Sequence, residues 1–329
     1  MLKKIAYMGW LGHNNLGDEA CFAGIANCLA THSIICWDIG PWNNPGLPDL
    51  SIVGGGTLLD LGFDTRAKSI RMLQLQNVPT IFWGTGVLPH SGPIDPRTQQ
   101  LLEEAAFVGV RGPQSLALLN AGGFTKGVLV GDPALLLATP NVVLGKVSKT
   151  IALNIGDARG RMLGNEQHVT EQAQRLISTL VRNGYEVIPF SMWPSDEKYL
   201  GKLSLSEKVR IRKFNPSVLE LMNFFKNCYC VIGMKLHSIV LSAAACVPFI
   251  SIAYREKCLD FAASLGLRRW AVATNAPDLA QRIEALFNLL PEYYDVITAR
   301  MQERIHNYRL EHDRVARIAH DVLRGTGKR

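Results

Sequence analysis

Hydrophobic residues follow two different spacings along the first half of the chain. Short apolar segments rich in Val, Ile and Phe are typical of strands buried on both faces, and the longer segments between them show helical spacing. The pattern predicts strands at 4–8, 34–39, 50–53, 80–83, 107–110 and 127–130. Helices are predicted at 17–31, 66–77, 95–106 and from residue 113. Strands that alternate with helices in this way indicate a parallel sheet with helices on both of its faces.

The alternation stops between residues 140 and 149 and starts again at Thr150. In the second half, strands are predicted at 151–156, 187–190, 209–213, 230–232 and 249–253. Helices are predicted at 166–183, after Pro194, at 217–226 and at 257–264. We therefore predict an α/β protein of two Rossmann-like domains, 1–145 and 146–329, with a cleft between them.

A charged helical tail is predicted at 279–323. We expect Pro291 to break this helix, because proline donates no hydrogen bond and its ring clashes with the preceding turn. Basic residues are frequent toward the end of the tail, but acidic residues are interspersed with them. This mixture favours a solvated helix face, with peripheral contact to anionic lipid headgroups as the alternative.

Composition restricts the compartment in which the protein is expected. The 329 residues are 47% hydrophobic, which is enough for two packed cores, and no apolar run approaches the ~20 residues of a membrane span. The N-terminal segment does not read as a signal peptide, and the seven cysteines lie mostly in apolar segments, as buried thiols do in a reducing compartment. We expect a cytoplasmic protein, and the inner face of the membrane is the place in the cytoplasm where it would meet a membrane-bound acceptor.

The formal net charge of +7 favours an anionic partner, such as a phosphorylated small molecule, a lipid surface or a nucleic acid. Nucleic acid is the least expected of the three, because basic and aromatic residues do not interleave and no nucleic-acid-binding motif is present. Cys228 and Cys230 have no second Cys/His pair with zinc spacing, so we expect no metal. The glycine-rich turns at 54–56 and 84–86 match neither a dinucleotide fingerprint nor a P-loop, so nicotinamide and ATP sites are disfavoured and we expect no cofactor. The sequence indicates no oligomeric state.

The segment Gly-Met-Lys-Leu-His at 233–237 joins an apolar strand to an apolar helix. Parallel α/β sheets bind ligands at such junctions, beyond the carboxyl ends of their strands. Lys235 stands two residues before His237, and Tyr254 follows the next strand with further cationic residues beside it. We predict an anion site with an acid/base group beside it. A structural histidine in the core is the alternative reading of His237.

Three consecutive glycines, Gly54, Gly55 and Gly56, directly follow a predicted strand, where backbone amides can approach a phosphate. A tight turn without a ligand is the alternative. Arg111 ends another strand and precedes a helix that starts at Pro113, so its guanidinium is suited to clamp a carboxylate or phosphate. The alternative for Arg111 is a structural salt bridge.

The loop between the first strand and the first helix is rich in polar residues. Asp18 and Glu19 occupy the positive end of the predicted helix, where they would repel a phosphate. The loop, with Asn14 and Asn15, is therefore better suited to bind sugar hydroxyls or to orient the interface between the domains. The alternative is that both acids only complement the helix dipole. Asp132, which precedes a proline after the strand at 127–130, is expected to cap a turn or helix.

An ordered set of motifs resembles the polysaccharide pyruvyltransferase family over about residues 4–266. The motifs are Gly-His-Asn-Asn-Leu-Gly-Asp-Glu-Ala at 12–20, Val-Gly-Gly-Gly at 53–56, Val-Arg-Gly-Pro-Gln-Ser at 110–115, Gly-Asp-Pro-Ala at 131–134, Lys-Leu-His-Ser at 235–238 and Ile-Ala-Tyr at 252–254. The resemblance implies a fold like that of GT-B glycosyltransferases. It also implies transfer of pyruvate from phosphoenolpyruvate to two hydroxyls of a sugar, or of a lipid-linked saccharide, which gives a cyclic ketal.

The resemblance also implies roles for particular residues. The family's Arg-Leu-His motif maps onto Lys235, Leu236 and His237, and its N-terminal-domain arginine maps onto Arg111. His237 is then the expected general acid or base, and Arg111 and Lys235 hold the phosphate and carboxylate of the donor. Lysine at position 235 departs from the family pattern, because it keeps the charge but loses the bidentate fork of arginine.

The remaining candidates divide between the donor and the acceptor. The three glycines at 54–56 and Tyr254 are expected on the donor side. Asn14, Asn15 and Asp18 are expected to bind the acceptor, and Asp18 or Glu19 would orient the sugar or accept a hydroxyl proton. Two alternatives to this function remain open. One is a GT-B-like glycosyltransferase that uses a nucleotide sugar, and the other is a non-catalytic relative in a polysaccharide assembly complex.

Overall fold

The computed structural model describes residues 3–36, 47–90, 92–139, 145–158, 160–203 and 209–325. The chain divides into two compact units. The first unit comprises Met1–His13, Asp18–Leu136 and Asn307–Arg329, and the second comprises Asn14–Gly17 and Leu137–His306.

The first unit is built on a parallel sheet. Its strands are β1 (Lys4–Met8), β2 (Ser33–Cys36), β3 (Leu50–Gly54), β4 (Thr57–Leu59), β5 (Thr80–Val87), β6 (Phe107–Val110) and β7 (Val128–Leu129). The strand order is β2-β1-β3-β5-β6-β7, with β4 pairing beside β5. The helices between the strands are α1 (Leu16–Cys28), α2 (Thr65–Leu75), α3 (Pro96–Glu103) and α4 (Pro113–Ala121). Residues 37–39 of the strand predicted at 34–39 lie outside the described residues.

Short-range signals explain where these helices begin. The side chain of Asp64 caps α2 by accepting from the backbone N–H of Ala67, and Asp95 caps α3 in the same manner. Pro113 occupies the first turn of α4, where its missing N–H leaves no bond unmade. Both faces of the sheet are buried, since separate apolar clusters cover them, and this accounts for the continuous apolar character of β1, β3 and β5.

The second unit contains a five-stranded parallel sheet. Its strands are β8 (Thr150–Asn154), β9 (Glu186–Pro189), β10 (Cys230–Gly233), β11 (Phe249–Ala253) and β12 (Ala271–Ala273), in the order β12-β11-β10-β8-β9. Its helices are α5 (Glu166–Arg182), α6 (Asp196–Leu200), α7 (Val218–Lys226), α8 (Leu236–Ala244), α9 (Glu256–Ser264) and the start of α10 (Leu279–Arg324). The strand predicted at 209–213 is wrong, because only an isolated bridge between Arg212 and Phe190 forms there.

Helix α10 corrects the expectation for Pro291. The helix runs through this proline without interruption for 46 residues. Phe287, Leu290 and Tyr294 on either side of it are almost completely buried, so packing outweighs the hydrogen bond that proline removes.

The C-terminal part of α10 also belongs to a different unit from the one predicted. The sequence assigned the whole tail to the domain 146–329, whereas Asn307–Arg329 group with the first unit. The reason is apolar burial: Val315, Ala319 and Leu323 lie in the same core cluster as Ile5 and Trp83. The predicted boundary at 145 also differs from the division after Leu136, and residues 140–144 lie outside the described residues. In the parts of the chain that the structure describes, no helix combines the length and apolarity needed to cross a membrane.

Candidate functional site

Arg111 lies at the carboxyl end of the first unit's sheet, between β6 and α4. Its backbone N–H donates to the carbonyl of Thr85 at 3.1 Å, and its side chain is only 3% exposed. Nη2 donates to Oγ1 of Thr57 at 2.7 Å, and Nη1 lies 3.7 Å from Oδ2 of Asp132, an ion pair without a hydrogen bond. Among the described residues, Nη1 donates no hydrogen bond. The guanidinium is therefore a buried cation with hydrogen-bonding capacity to spare.

Asp132 is completely buried and begins a 3-10 helix, Pro133–Leu137. Its Oδ1 accepts from the backbone N–H of Ala134 at 3.0 Å, which confirms the predicted cap, and from Sγ of Cys21 at 3.4 Å. Burial raises the pKa of Cys21 well above its usual value, the carboxylates of Asp132 and Asp18 raise it further, and Arg111 opposes them. The thiol is consequently protonated and unsuited to act as a nucleophile. Cys21 and Arg111 therefore both adjoin the buried carboxylate of Asp132.

The three glycines connect β3 to β4 and do not lead into a helix. A β carbon at Gly54 would lie 2.8 Å from the ring of Tyr7, and one at Gly55 would lie 2.6 Å from Cβ of Cys21. Gly55 and Gly56 also adopt positive φ angles of 66° and 57°. Glycine at these positions is thus explained by backbone conformation and by close packing on α1. Their binding of a donor remains a prediction.

The polar loop before α1 divides between the two units. Asp18 and Glu19 occupy the first turn of α1 in the first unit, where Glu19 accepts from the backbone N–H of Gly12 at 3.0 Å. Asn14 and Asn15 group with the second unit. Asn14 is exposed with a φ of 54°, and Oδ1 of Asn15 accepts from the backbone N–H of Gly17 at 3.0 Å. The side chains of Asn15 and Glu19 therefore help to fix the loop.

Lys235 lies between β10 and α8 in the second unit, at the N-cap position of α8. Its ammonium donates to the carbonyl of Asp157 and lies 3.4 Å from Oδ1 of Asp196. The rings of Trp193 and Tyr254 lie 5.8 Å and 5.9 Å from it. The Lys235 side chain is 14% exposed. The ammonium is therefore held next to a carboxylate and two aromatic rings, although part of the side chain still reaches the surface.

Asp196 was not predicted, and it is the buried counter-charge of Lys235. It is completely buried at the start of α6, where its two oxygens accept from the backbone N–H groups of Asp157 and Met192, each at 3.0 Å. Burial raises the pKa of Asp196, while Lys235 and these hydrogen bonds lower it. A β carbon at Gly156 would lie 2.1 Å from Oδ1, so the chain needs glycine at 156 to approach this carboxylate.

Asn154, at the end of β8, fixes the strand-to-helix junction and was also missed. It is completely buried. Its Oδ1 accepts from the backbone N–H of Lys235 at 2.9 Å, and its Nδ2 donates to the carbonyl of Phe190 at 3.0 Å. Its own carbonyl accepts from Met234 at 3.0 Å. One polar side chain at the end of an apolar strand was the only sequence signal for it.

His237 lies half-buried in the first turn of α8, close to Lys235 in the chain. A β carbon at Gly17 would lie 1.9 Å from its Nδ1, so the imidazole packs directly against the backbone of Gly17. The side chain of Lys235 makes no capping hydrogen bond to α8. The positive end of this helix, a cation and an imidazole therefore adjoin each other, an arrangement suited to binding an anion and moving a proton.

The first unit repeats part of this arrangement. Arg111 precedes α4 as Lys235 precedes α8, and in both cases the N-cap residue makes no side-chain cap. Each unit therefore presents a cation at the end of a parallel strand and next to a helix N-terminus.

Comparison with known proteins identifies the family. The sequence model described as polysaccharide pyruvyl transferase matches residues 15–256, which is more than half of the chain. The chain belongs to the polysaccharide pyruvyl transferase family. Membership in the polysaccharide pyruvyl transferase family supports the expectation of a transferase. The matched segment contains Arg111, Lys235 and His237, and it ends before the C-terminal helix.

A curated relative is the amylovoran biosynthesis protein AmsJ of Erwinia amylovora. It is 26% identical over 205 residues, which cover 55% of this chain and 46% of that protein. This polysaccharide pyruvyl transferase family member thus spans less than half the length of the relative.

Solved structures share the fold over nearly the whole chain. The UDP-bound MnaA of Staphylococcus aureus matches 98% of this chain and 97% of its own at 12% identity, with a TM-score of 0.63. A UDP-GlcNAc 2-epimerase from Methanocaldococcus jannaschii, in complex with UDP-GlcNAc and UDP, matches 88% and 93% at 13% identity, with a TM-score of 0.57. UGT2 of Phytolacca americana matches 97% and 99% at 9% identity, with a TM-score of 0.56. These likenesses confirm the predicted α/β fold of the GT-B type for this polysaccharide pyruvyl transferase family member.

Trp83 and His312 of the first unit were not predicted to be near a site. The indole Nε1–H of Trp83 donates to Nδ1 of His312 at 2.8 Å, and both side chains are completely buried. Burial lowers the pKa of His312 to about 4, the charge of Asp132 opposes this shift, and Nε2 of His312 has no hydrogen-bond partner among the described residues. His312 lies beyond the segment that matches the polysaccharide pyruvyl transferase family.

Proposed function

We propose that the protein transfers pyruvate from phosphoenolpyruvate to two hydroxyls of a sugar, forming a cyclic ketal during synthesis of a cell-surface polysaccharide. Family membership supports the transferase, and the similarity to AmsJ, an amylovoran biosynthesis protein, supports a saccharide acceptor. The observation that carries the proposal is the junction between β10 and α8, where Lys235 and His237 adjoin the positive end of a helix.

The chemistry requires one proton to be delivered to carbon and others to be removed from oxygen. Protonation of the methylene carbon of phosphoenolpyruvate makes C2 electrophilic, and the first sugar hydroxyl adds there as it loses its proton. The bond from C2 to the phosphate oxygen then breaks, inorganic phosphate leaves with the electron pair, and the second hydroxyl closes the ketal. We assign to His237 the transfer of a proton to or from the reacting groups. The reaction uses phosphoenolpyruvate as donor substrate and no separate cofactor.

The cationic residues are assigned to the charges of the donor. In the first unit, Arg111 is proposed to bind an anionic group, because it is fixed by Thr57 and has hydrogen-bonding capacity to spare. In the second unit, Lys235 is proposed to act as a point charge. It lacks the bidentate geometry of the family's arginine, and its charge is shared with Asp196. Tyr254 and the glycines at 54–56 keep their proposed donor-side roles, and Asn14, Asn15, Asp18 and Glu19 their acceptor-side roles.

Calorimetry of phosphoenolpyruvate binding tests the donor. Wild type is compared with Arg111→Ala and Lys235→Ala, and each has a matched surface control. Arg97→Ala removes a 62% exposed arginine from the first unit, and Lys146→Ala removes a 49% exposed lysine from the second. We expect both site variants to weaken binding at least tenfold and both controls to bind like wild type. Equal effects in site and control variants would refute the assignment of these cations.

Two further results would redirect the proposal. Binding of UDP or GDP without binding of phosphoenolpyruvate would favour a glycosyltransferase, as in the UDP-bound structures of the same fold. Absence of binding to either donor would favour a non-catalytic relative. If phosphoenolpyruvate binds, release of phosphate on addition of free or lipid-linked saccharides identifies the acceptor. A lipid-linked acceptor would place the reaction at the inner face of the membrane.

A further inference from the structure

A cleft of about 560 Å³, within the range of ligand-binding clefts, lies at one edge of the second unit's sheet. It is formed by the edge strand β12, the 3-10 helix Arg268–Trp270 and the start of α10. Most of its lining residues are apolar, among them Val272, Leu286 and Leu289, and its charged lining residues are Arg268, Arg269 and Arg282. The cleft therefore combines an apolar surface with three cations.

An exposed apolar stripe on α10 continues from this cleft. The α10 stripe consists of residues at intervals of three or four, which lie on one face of the helix: Leu286, Leu289, Tyr293 and Val296. Leu289 is 38% exposed and Val296 is 55% exposed. The guanidinium of Arg269 lies 4.8 Å from the centre of the Tyr293 ring, and this contact joins the cleft to the stripe. Neighbouring exposed apolar side chains of this kind mark a contact surface.

Arginines also stand at both ends of the α10 stripe. Arg282 lies one helical turn before it and Arg300 one turn after it. Nε of Arg282 donates to Oδ1 of Asp278 at 2.6 Å, and Nη1 of Arg300 donates to the carbonyl of Gly266 at 3.0 Å. Of the four arginines in the cleft and beside the stripe, only Arg282 has an ion-pair partner among the described residues. The surface is therefore positively charged around its apolar centre.

This charge pattern decides among the possible occupants of the surface. A second copy of the chain, related by two-fold symmetry, would place the same arginines against each other, which is electrostatically unfavourable. An anionic bilayer offers phosphates to the arginines and hydrocarbon to the stripe. Arginine side chains bury their aliphatic stems on apolar surface while their guanidinium groups stay at the level of the headgroups. An apolar stripe along a helix bordered by arginines suits a helix that lies in the plane of the membrane interface.

We propose that the cleft and the α10 stripe form a docking surface for an anionic phospholipid bilayer, in which the arginines contact lipid phosphates and Leu289 and Val296 contact the acyl region. The surface lies at the start of α10, whereas the sequence directed attention to the basic residues at its end. The inference rests on the proposed function only for its purpose, which is to bring the protein to a lipid-linked acceptor.

Sedimentation of the full chain with vesicles tests the surface without donor or acceptor. One set of vesicles is phosphatidylcholine alone, and the other contains equal parts of phosphatidylcholine and phosphatidylglycerol. We expect binding to the mixed vesicles that weakens as salt is added, and much weaker binding to phosphatidylcholine. Arg269→Ala combined with Arg282→Ala should lower the partition coefficient roughly 25-fold, because each arginine near an anionic surface contributes roughly fivefold. Leu289→Gln should lower it roughly fivefold through lost apolar contact.

Matched controls come from the other end of the same helix. Arg314→Ala combined with Arg317→Ala also removes two exposed arginines. Arg314 is 56% exposed and pairs with an acid within the helix, as the 57% exposed Arg282 does. Leu310→Gln replaces a leucine that is 53% exposed. We expect these variants to bind like wild type, with helical circular dichroism unchanged throughout. Equal losses in site and control variants, or no preference of wild type for the anionic vesicles, would overturn the inference.

Two further measurements separate the alternatives. Analytical ultracentrifugation without vesicles tests for a second copy on the surface, and a dimer that Leu289→Gln dissociates would overturn the inference. Calorimetry with phosphoenolpyruvate tests the proposed function separately. Binding to anionic vesicles without binding of phosphoenolpyruvate would support the docking surface and refute the proposed donor, and the reverse result would overturn the docking surface alone.

Discussion

Replacing Lys235 with methionine isolates the electrostatic part of the buried pair in the second unit. Methionine keeps most of the aliphatic stem and removes the ammonium that lies 3.4 Å from Asp196. Asp196 is completely buried and keeps two backbone hydrogen bonds of 3.0 Å, so it loses its counter-charge but not all of its solvation. Removing one partner of a buried pair costs about 3–5 kcal/mol. The remaining hydrogen bonds and the 14% exposure of Lys235 reduce this to about 2–3 kcal/mol.

The effect should depend on pH in a defined direction. Burial raises the pKa of Asp196 in the folded state above its unfolded value, and loss of Lys235, which lowers it, raises it further. At pH values between the pKa of Asp196 in the unfolded chain and its pKa in the folded variant, the folded variant therefore binds more protons than the unfolded chain. The loss of unfolding free energy should have its full value at pH values above the pKa of Asp196 in the folded variant. It should diminish as the pH falls through that pKa. Wild type, with the smaller shift, should show less of this dependence.

Thermal and urea unfolding of wild type and variant, measured from pH 7 down to pH 4, checks this prediction. At pH 7 a loss of about 2–3 kcal/mol corresponds to a decrease in Tm of about 4–12 °C. The double variant Lys235→Met with Asp196→Asn should recover part of the stability, since no buried charge remains. Lys146→Met, which removes an exposed lysine, should change stability by less than about 0.5 kcal/mol. A pH-independent loss, or no recovery in the double variant, would refute the electrostatic explanation.

Three further substitutions test contacts elsewhere in the chain. Gly17→Ala should displace the imidazole of His237, because the added carbon would lie 1.9 Å from Nδ1. Steady-state kinetics should show a lower kcat, and an unchanged kcat would contradict that packing. Gly55→Ala combines a φ of 66° with a contact of 2.6 Å to Cβ of Cys21. It should destabilise the first unit by at least about 1–2 kcal/mol in urea unfolding, and a neutral effect would refute the close approach. Pro291→Ala restores one helical N–H and should stabilise α10 by up to about 3 kcal/mol; a loss of stability would show that the proline ring itself is needed.

The sequence predicted the sheets well because of how parallel strands are buried. Strands covered on both faces have continuous apolar runs, so β1, β3, β5 and β10 were evident without any partner information. The segment at 209–213 alternates apolar and basic residues as a strand does, but it forms only one bridge. Tertiary pairing decides such short segments, and local pattern does not record it.

The sequence predicted the cations of the candidate site, but it did not predict the buried groups that pair with them. Arg111, Lys235 and His237 stand at strand ends, and this position is visible in the sequence. Asp196 and His312 were missed because their partners lie far away in the chain, and an aspartate or histidine within a polar segment resembles a surface residue. The paired groups that tune a buried charge are set by long-range packing, so single-sequence spacing does not reveal them.

The contribution of α10 to the first unit has a consequence for how the chain folds during synthesis. The strands of the first unit leave the ribosome early, but their core cluster includes Val315, Ala319 and Leu323. Translation of residues 137–323 takes about 10–40 s at about 5–20 residues per second. Throughout that interval the nascent first unit lacks the three α10 side chains of this cluster, although Ile25 and Leu29 of α1 are already present. It must complete its folding after the second unit has been translated, and a chaperone that shields apolar surface would act on it during this delay.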